Sequence, residues 1–471
     1  MMVRRRSLSL LLLAALLATM LISAPTPATA TGCANLDRLT VPGAEMQKAA
    51  CLPDLTTAYT VPNGFSVQAD WNLLNAAGTQ NPTGVPGIQI DGYFPDTPPP
   101  APYLPNDYNG WNHDAQFVIR LPDNWNGGLV IAPPPGNRRQ YSSDFIIADW
   151  VLARGYAYAS TDKGNVNIIT PTTASFFYLD GEEPGDAVAE WHERVRELTK
   201  AARKVVRQRY GKPPTNVYLF GISNGGYQVR YAIERDPGLY DGGVDWEGTL
   251  FTRDGPNLFT YLPTTLRQYP IYASAASTPE QKEAARQALL AAGLAPGSEF
   301  LWPLHYQVYW DLTQRIYREE FDPTYDGDLL AGVPFCASGT PNCDADYDYA
   351  SRPEEVKEAV ERVSLTGRIK RPLITVQGSL DTLITPATNA DPYVALIAER
   401  HRSRLHRYYL VESGQHVDGF VPAFGDALRP LLPCARAAFV ALEQWVEEGE
   451  GPPASGTIQR ASVTLSSCAL P

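Results

Sequence analysis

Short apolar runs alternate with amphipathic stretches along much of this chain. Apolar runs predict buried strands over 128–132, 155–160, 216–220, 371–378 and 405–411. Helices are predicted over 143–154, 227–235 and 433–448. The second is closed by Asp236-Pro237-Gly238, which cannot continue it. Strand followed by helix, repeatedly, puts the chain in the α/β class. One interval breaks the pattern, roughly 254–367. It opens with mixed loops. A helix over 279–292 follows, with Thr278 as N-cap, Gln281 completing a capping box and Gly293 as stop. A second helix near 304–320 carries Tyr306, Tyr309, Trp310 and Tyr317. Aromatics at helical spacing are more often core than ligand platform. In a lid they would also suit an apolar or aromatic acyl group.

The chemistry concentrates where the 216–220 strand meets the 227–235 helix, in Gly221-Ile222-Ser223-Asn224-Gly225-Gly226. Strand, G-x-S-x-G, helix is the layout of a nucleophile elbow. A serine on such a sharp turn projects its hydroxyl from the top of the sheet. Glycines on both sides are needed because side chains there would clash with the strand and helix. The helix N-terminus below favours developing negative charge.

A nucleophilic Ser223 needs a base and an acid that orients it. In the order Ser, Asp, His, each following a strand, the chain supplies Asp381 after the 371–378 strand and His416 after the 405–411 strand. His113 and His192 precede the serine, and His192 reads as part of a solvated helix face. His305 falls in the aromatic insert. His401 and His406, among arginines, read as surface residues. Asp391 and Asp418 are weaker rivals of Asp381, as neither directly follows a strong strand. An oxyanion hole needs two backbone donors. One is expected from Asn224, after the nucleophile. The other is expected from Gly136 or Asn137, in the Pro-Gly loop after the 128–132 strand. Thr161-Asp162-Lys163-Gly164, ending the 155–160 strand, reaches the same sheet edge and can buttress that loop.

The segments Pro135-Gly136-Asn137-Arg138-Arg139-Gln140-Tyr141, Thr161-Asp162-Lys163-Gly164 and Ser223-Asn224-Gly225-Gly226 resemble those of secreted bacterial esterases of the α/β-hydrolase fold. The resemblance is to the tannase and feruloyl esterase group and to the 3-hydroxybutyrate-oligomer hydrolases, over roughly 110–250 and 370–420. It implies an α/β-hydrolase fold with a large cap, or lid, inserted between nucleophile and acid. It also implies a Ser-His-Asp acyl-enzyme mechanism without a cofactor, with hydroxybutyrate oligomers placed first as substrate and phenolic esters second. Fungal-type tannases carry cysteines just before the serine and just after the histidine. Ile222 and Val417 stand there instead.

Composition adds a compartment. Arg4, Arg5 and Arg6, an apolar run over 8–22 and Ala28-Thr29-Ala30 read as an export signal over 1–30. Cys33 lacks a lipobox and reads as a disulfide partner. Six cysteines suit an oxidising compartment, with Cys33–Cys51, Cys336–Cys343 and Cys434–Cys468 expected from proximity. Loss of three signal arginines would take the net charge of −12 further negative. An acidic chain argues against nucleic-acid partners and anionic membranes, and no second apolar span reaches membrane length. The Asp-rich segments 322–328 and 344–348 lack EF-hand length and read as solvated turns, so no metal is expected. The organisation expected is a signal over 1–30 and an N-terminal segment with a Pro-rich connector over 31–105. Core follows over 106–253, a cap over 254–367 and core again over 368–471. Three functions fit: a secreted ester hydrolase, a serine exopeptidase on the same fold and a non-catalytic paralogue. An intact Ser, Asp and His set counts against the last. Oligomeric state is not constrained.

Overall fold

The computed structural model describes residues 33, 36–96, 108–164, 183–323, 325 and 344–471. Among these residues ten strands form one sheet in the order β1-β2-β3-β5-β4-β6-β7-β8-β9-β10. They are β1 (Met46–Leu52), β2 (Gly87–Tyr93), β3 (Gln116–Pro122), β4 (Gly128–Ile131), β5 (Ala157–Thr161), β6 (Asn216–Ile222), β7 (Gly242–Trp246), β8 (Leu373–Gly378), β9 (His406–Val411) and β10 (Gly456–Ile458). β1, β2, β3 and β5 pair antiparallel. From β5 through β4 to β10 every pairing is parallel. Parallel strands end on one edge, which is where an α/β protein gathers a site.

The apolar runs are continuous because both faces are covered. In β6, Val217 and Leu219 enter one core, while Tyr218, Phe220 and Ile222 enter the other. The first core is closed by α1 (Asp186–Tyr210), which presents Val188, Trp191, Val195, Leu198, Ala202 and Val205 at three- and four-residue spacing. The second is closed by α2 (Leu432–Glu447), through Ala435, Ala438, Phe439 and Leu442. Cys434 in this helix bonds Cys468, and Cys33 bonds Cys51, as expected; Cys336 and Cys343 lie outside the described residues. So do the proposed signal, most of the Pro-rich connector and most of the 322–328 segment.

Between β7 and β8 the described residues form helices and loops. The 279–292 helix is observed as Pro279–Ala291, with the Thr278–Gln281 capping box formed. The single helix expected near 304–320 is instead broken by a π turn, Tyr306–Trp310, before the helix α3 (Asp311–Phe321). A π turn adds one residue to the helical register. Here Trp310 is buried and donates its indole N–H to the Thr382 carbonyl, whereas Tyr309 lines the cavity beside Ser223.

Two histidines and one aspartate differ from expectation. His406 is buried, not superficial, because β9 is an inner strand flanked by β8 and β10; its Nε2 lies 2.9 Å from the Thr375 hydroxyl. His192 is buried where α1 packs on the helix after Ser223, stacked on Tyr231, with Nε2 2.9 Å from the Tyr227 hydroxyl. Asp344, read as part of a solvated turn, is buried and pairs with Arg318 at 2.9 Å. Among the described residues no helix is long and apolar enough to cross a membrane.

Candidate functional site

β6 runs into Ser223 and directly on into the helix α4, Asn224–Arg235. At Ser223 the backbone turns through φ 58° and ψ −122°, a conformation costly for a residue with a side chain and retained only where surroundings enforce it. The flanking glycines are spatial necessities. A Cβ on Gly221 would lie 2.5 Å from the Gly225 carbonyl, and one on Gly225 would lie 2.2 Å from the Pro133 oxygen. The Ser223 N–H is tied to the Trp246 carbonyl at 2.8 Å, so β7 holds the turn in place.

The structure brings Ser223, His416 and Asp381 together. His416 Nε2 lies 3.1 Å from Ser223 Oγ, and its Nδ1 lies 2.9 Å from Asp381 Oδ2. Asp381 is fully buried. Its Oδ1 accepts the N–H groups of Leu383 and Ile384, at 2.8 and 2.9 Å, and its Oδ2 accepts from Gln377 at 3.3 Å. Such bonds fix the carboxylate against the imidazole. The rivals are engaged elsewhere. Asp418 accepts from Leu431 and Leu432 N–H at the start of α2, and burial pushes its carboxyl up to about 7. Asp391 accepts from the Tyr408 hydroxyl. His401 is exposed, and His113 rests on the Asp114 carbonyl and the Tyr93 ring. His305 is buried near the cluster, and burial lowers it to about 4.

Gly136, Asn137 and Asn224 line the same cavity as Ser223 and His416. Gly136 has φ 52°, which its lack of a side chain permits. Lys163, at the end of β5, is fully buried and donates from Nζ to the carbonyls of Pro134 and Gly136, at 2.8 and 2.6 Å. It lies 4.7 Å over the Trp191 ring, and burial holds its ammonium well below the usual lysine range. In a trans peptide the C=O and the following N–H point opposite ways. With the Gly136 carbonyl held by Lys163, the Asn137 N–H is aimed to the other side. The Asn224 N–H begins α4 and so has no acceptor within that helix. The Asn224 side chain accepts from Tyr317 of α3 at 2.5 Å, joining the insert to the elbow.

One buried acid was not singled out from sequence. Glu247 follows β7 in the run Trp246-Glu247-Gly248, and its Oε2 lies 3.8 Å from His416 Nδ1. Its Oε1 accepts the Gly378 N–H at 2.9 Å. Burial first, and the Asp381 charge second, hold its carboxyl well above the usual range. The signal available was a carboxylate ending the strand between those of Ser223 and Asp381. Glu247, Asp381 and His416 are also the described group whose donor atoms lie within 4.8 Å of one another, as a metal would require. His416 Nδ1, however, is at hydrogen-bond distance from Asp381, and both carboxyls are occupied by backbone N–H donors. The set therefore fits carboxyls that orient an imidazole better than a coordination sphere.

The cavity wall is mostly apolar, with Leu74, Ile222, Leu258, Ile316 and Leu383 among its residues. Among the described residues lining it, Arg138 is the one Lys or Arg and none is acidic. Arg138 Nη1 donates to the carbonyls of Asp70 and Asn72, at 2.8 and 3.2 Å, while neighbouring Arg139 pairs with the Asp70 carboxylate. Burial lowers the basicity of Arg138.

Comparisons with known proteins agree with this architecture on both halves of the chain. A family model described as tannase and feruloyl esterase matches residues 109–245, and one described as 3HB-oligomer hydrolase matches residues 328–469. An uncharacterized esterase of Xanthomonas campestris pv. campestris is 28% identical over 218 residues, 46% of this chain and 32% of that protein. The mono(2-hydroxyethyl) terephthalate hydrolase of Piscinibacter sakaiensis is 26% identical over 145 residues, 28% of this chain and 23% of that protein. The D-(-)-3-hydroxybutyrate oligomer hydrolase of Azoarcus sp. is 40% identical over 70 residues, 14% of this chain and 10% of that protein. The chain thus spans a third or less of the length of each of these relatives. Feruloyl esterase B from Aspergillus oryzae has the same fold, with a TM-score of 0.50 at 13% identity over 88% of this chain and 90% of that one. The chain resembles the tannase and feruloyl esterase group and the 3HB-oligomer hydrolases, and it has the α/β-hydrolase fold.

Proposed function

We propose that this protein is a secreted serine carboxylic-ester hydrolase working through an acyl-enzyme. The observation that carries the reading is the continuous chain from strained Ser223 through His416 to Asp381. Ser223 Oγ attacks the ester carbonyl while His416 Nε2 takes its proton. His416 then returns the proton to the leaving alcohol. Asp381 holds the imidazole and offsets its transient charge. Backbone N–H groups of Asn224 and of Gly136 or Asn137 receive the oxyanion. Residues 254–367 act as the cap and shape the acyl pocket, and residues 1–30 direct export.

Short 3-hydroxybutyrate oligomers are the substrates placed first, and gallate or ferulate esters second. The 3HB-oligomer hydrolase match supports this order. Arg138 supports it too: a guanidinium held by the Asp70 and Asn72 carbonyls in an apolar wall suits an ester that carries a carboxylate, as hydroxyacid oligomers do. A free-amine exopeptidase substrate fits less well, because none of the described cavity-lining residues is acidic. The test is kcat/KM on a 3-hydroxybutyrate trimer, on the methyl ester of that trimer and on methyl gallate and methyl ferulate. The free acid is expected to lead. A clear preference for a phenolic ester would reverse the ranking and leave the esterase reading standing. Loss of all hydrolysis only on Ser223→Ala would tie the activity to this site.

A further inference from the structure

We propose that Glu247 is a second acid of this site, a positioning residue that carries a proton beside ionised Asp381 and becomes the counter-ion of the His416 imidazolium when Asp381 is neutralised. The inference rests on the triad reading above.

The topology forces the juxtaposition. β7 lies between β6, which ends in Ser223, and β8, which leads to Asp381. The residue that follows β7 must therefore lie between nucleophile and acid. Glu247 is held there in a left-handed conformation, φ 52°, by its own N–H on the Val376 carbonyl at 2.9 Å. An L residue rarely adopts that conformation without an enforcing context. Its two oxygens have different fates. Oε1 is saturated by the Gly378 N–H, with Gln377 Nε2 at 3.5 Å. Oε2 is buried with no hydrogen-bond donor to it among the described residues; it lies beside the Asp381 carboxylate and faces His416 Nδ1 at 3.8 Å. Two carboxylates this close in a dry site cannot both ionise. Asp381 takes the negative charge, because it receives three N–H donors and the imidazole. A proton on Glu247 Oε2 turns an orphaned acceptor into a donor. The other charged groups facing Glu247 reinforce this, since Asp381 and Asp418 both disfavour its ionisation. His305, buried close to Asp381 and His416, adds no positive charge once neutral.

A purely structural Glu247 would only tether Gly378, and glutamine keeps that acceptor while losing the ionisable group. Four variants are therefore compared on one soluble ester: Ser223→Ala, Glu247→Gln, Asp381→Asn and Asp381→Asn/Glu247→Gln. Glu247→Gln alone should lower kcat/KM by roughly three- to tenfold at pH 7 to 8, a smaller loss than Asp381→Asn, since one neutral group replaces another but the proton facing the Asp381–His416 pair is lost. Asp381→Asn should fall by roughly a hundredfold, less than the roughly ten-thousandfold seen where no second acid stands by. The double variant should lose about a further tenfold or more. The rate of Asp381→Asn should also climb with pH as Glu247 loses its proton, and this climb should vanish in the double variant. A double variant within twofold of Asp381→Asn overturns the inference. So does a flat pH profile for Asp381→Asn, which decides the matter alone if the double variant does not fold. Activity surviving in Ser223→Ala would instead sink the triad reading.

Discussion

Lys163→Met should lower turnover far more than substrate affinity. Methionine keeps an unbranched chain of similar length over the Trp191 ring but removes the donor. Two carbonyls, those of Pro134 and Gly136, then lose the bonds that orient the loop. A buried carbonyl left unpaired costs roughly 1–3 kcal/mol, so two cost about 2–6 kcal/mol. Removing an amine whose charged form is penalised by burial returns part of this, leaving a net stability loss of about 1–3 kcal/mol. The effect on rate has a ceiling. Loss of one oxyanion donor costs about 2.7–4 kcal/mol, a factor of roughly 10² to 10³. The ceiling is not reached, because Asn224 belongs to α4 and Arg138 and Arg139 still tie the loop to Asp70 and Asn72. A fall in kcat of about ten- to a hundredfold is expected, or roughly 1.4–2.8 kcal/mol of barrier. KM should stay within about threefold, since the oxyanion exists only in the transition state. Steady-state kinetics on a p-nitrophenyl ester, paired with a thermal melt, measures both. A folded Lys163→Met enzyme with kcat within twofold of the parent would refute the assignment. So would a rise in KM at unchanged kcat, which would place Lys163 in ground-state binding.

Ser223→Ala and His416→Ala should each cost about a thousandfold or more in kcat/KM. If His401→Ala were the damaging histidine variant instead, the base assignment would be wrong. Turnover should fall on the acid side with one apparent ionisation, because a histidine base must be neutral to accept the serine proton; a rate flat to about pH 4 would exclude it. Stability should run the other way above neutrality. Burial raises Asp149 and Asp418 to about 7 and Glu320 to about 8, so the folded chain keeps protons that the unfolded chain has lost from about pH 4 upward. Their stabilising contribution is complete below the unfolded carboxyl values and disappears as pH rises through 7 to 8. Buried His305, at about 4, and His406, at about 3, act oppositely, adding stability as pH rises toward the unfolded histidine value near 6.5. Above that value the raised carboxyls are opposed by Lys163, whose buried ammonium adds stability as pH rises toward the ordinary lysine value; three acids outweigh one amine, and the melting temperature should drop between about pH 6.5 and 8.5. A constant or rising melting temperature across that window would contradict their burial as neutral acids.

What was legible in the sequence was whatever depends on neighbours within a few residues. The elbow strand, the strand that leads to Asp381 and the Thr278 capping box are local, and each was found within about two residues of its observed place, whereas β7 was not read from the sequence. Ser, Asp and His could be ordered because each directly follows a strand, and parallel strands bring their carboxyl ends to one edge. His192 and His406 defeated local reading for one reason: flanking arginines and acids suggest solvent, but burial is decided by which helix or strand packs alongside. The Tyr306–Trp310 turn was invisible because an extra residue in a helical register leaves the aromatic spacing almost unaltered.

Glu247 is the instructive omission. In its own window, Gly243-Val244-Asp245-Trp246-Glu247-Gly248, it is a polar residue at the end of a short apolar run, one of many. Its meaning comes from strand order, and β7 joins β8 only after a long insert. No local pattern says that residue 247 will meet residue 381. The nucleophile, Glu247 and Asp381 must occupy three neighbouring strand ends, and His416 reaches them from the fourth. An acid placed at the middle of such a row either perturbs the imidazole or is neutral. The Gly378 N–H and the orphaned Oε2 together indicate a neutral acid whose proton is aimed at the Asp381–His416 pair. The cost of burying a second carboxyl there is hard to reconcile with a merely structural tether, which an uncharged side chain would supply as well.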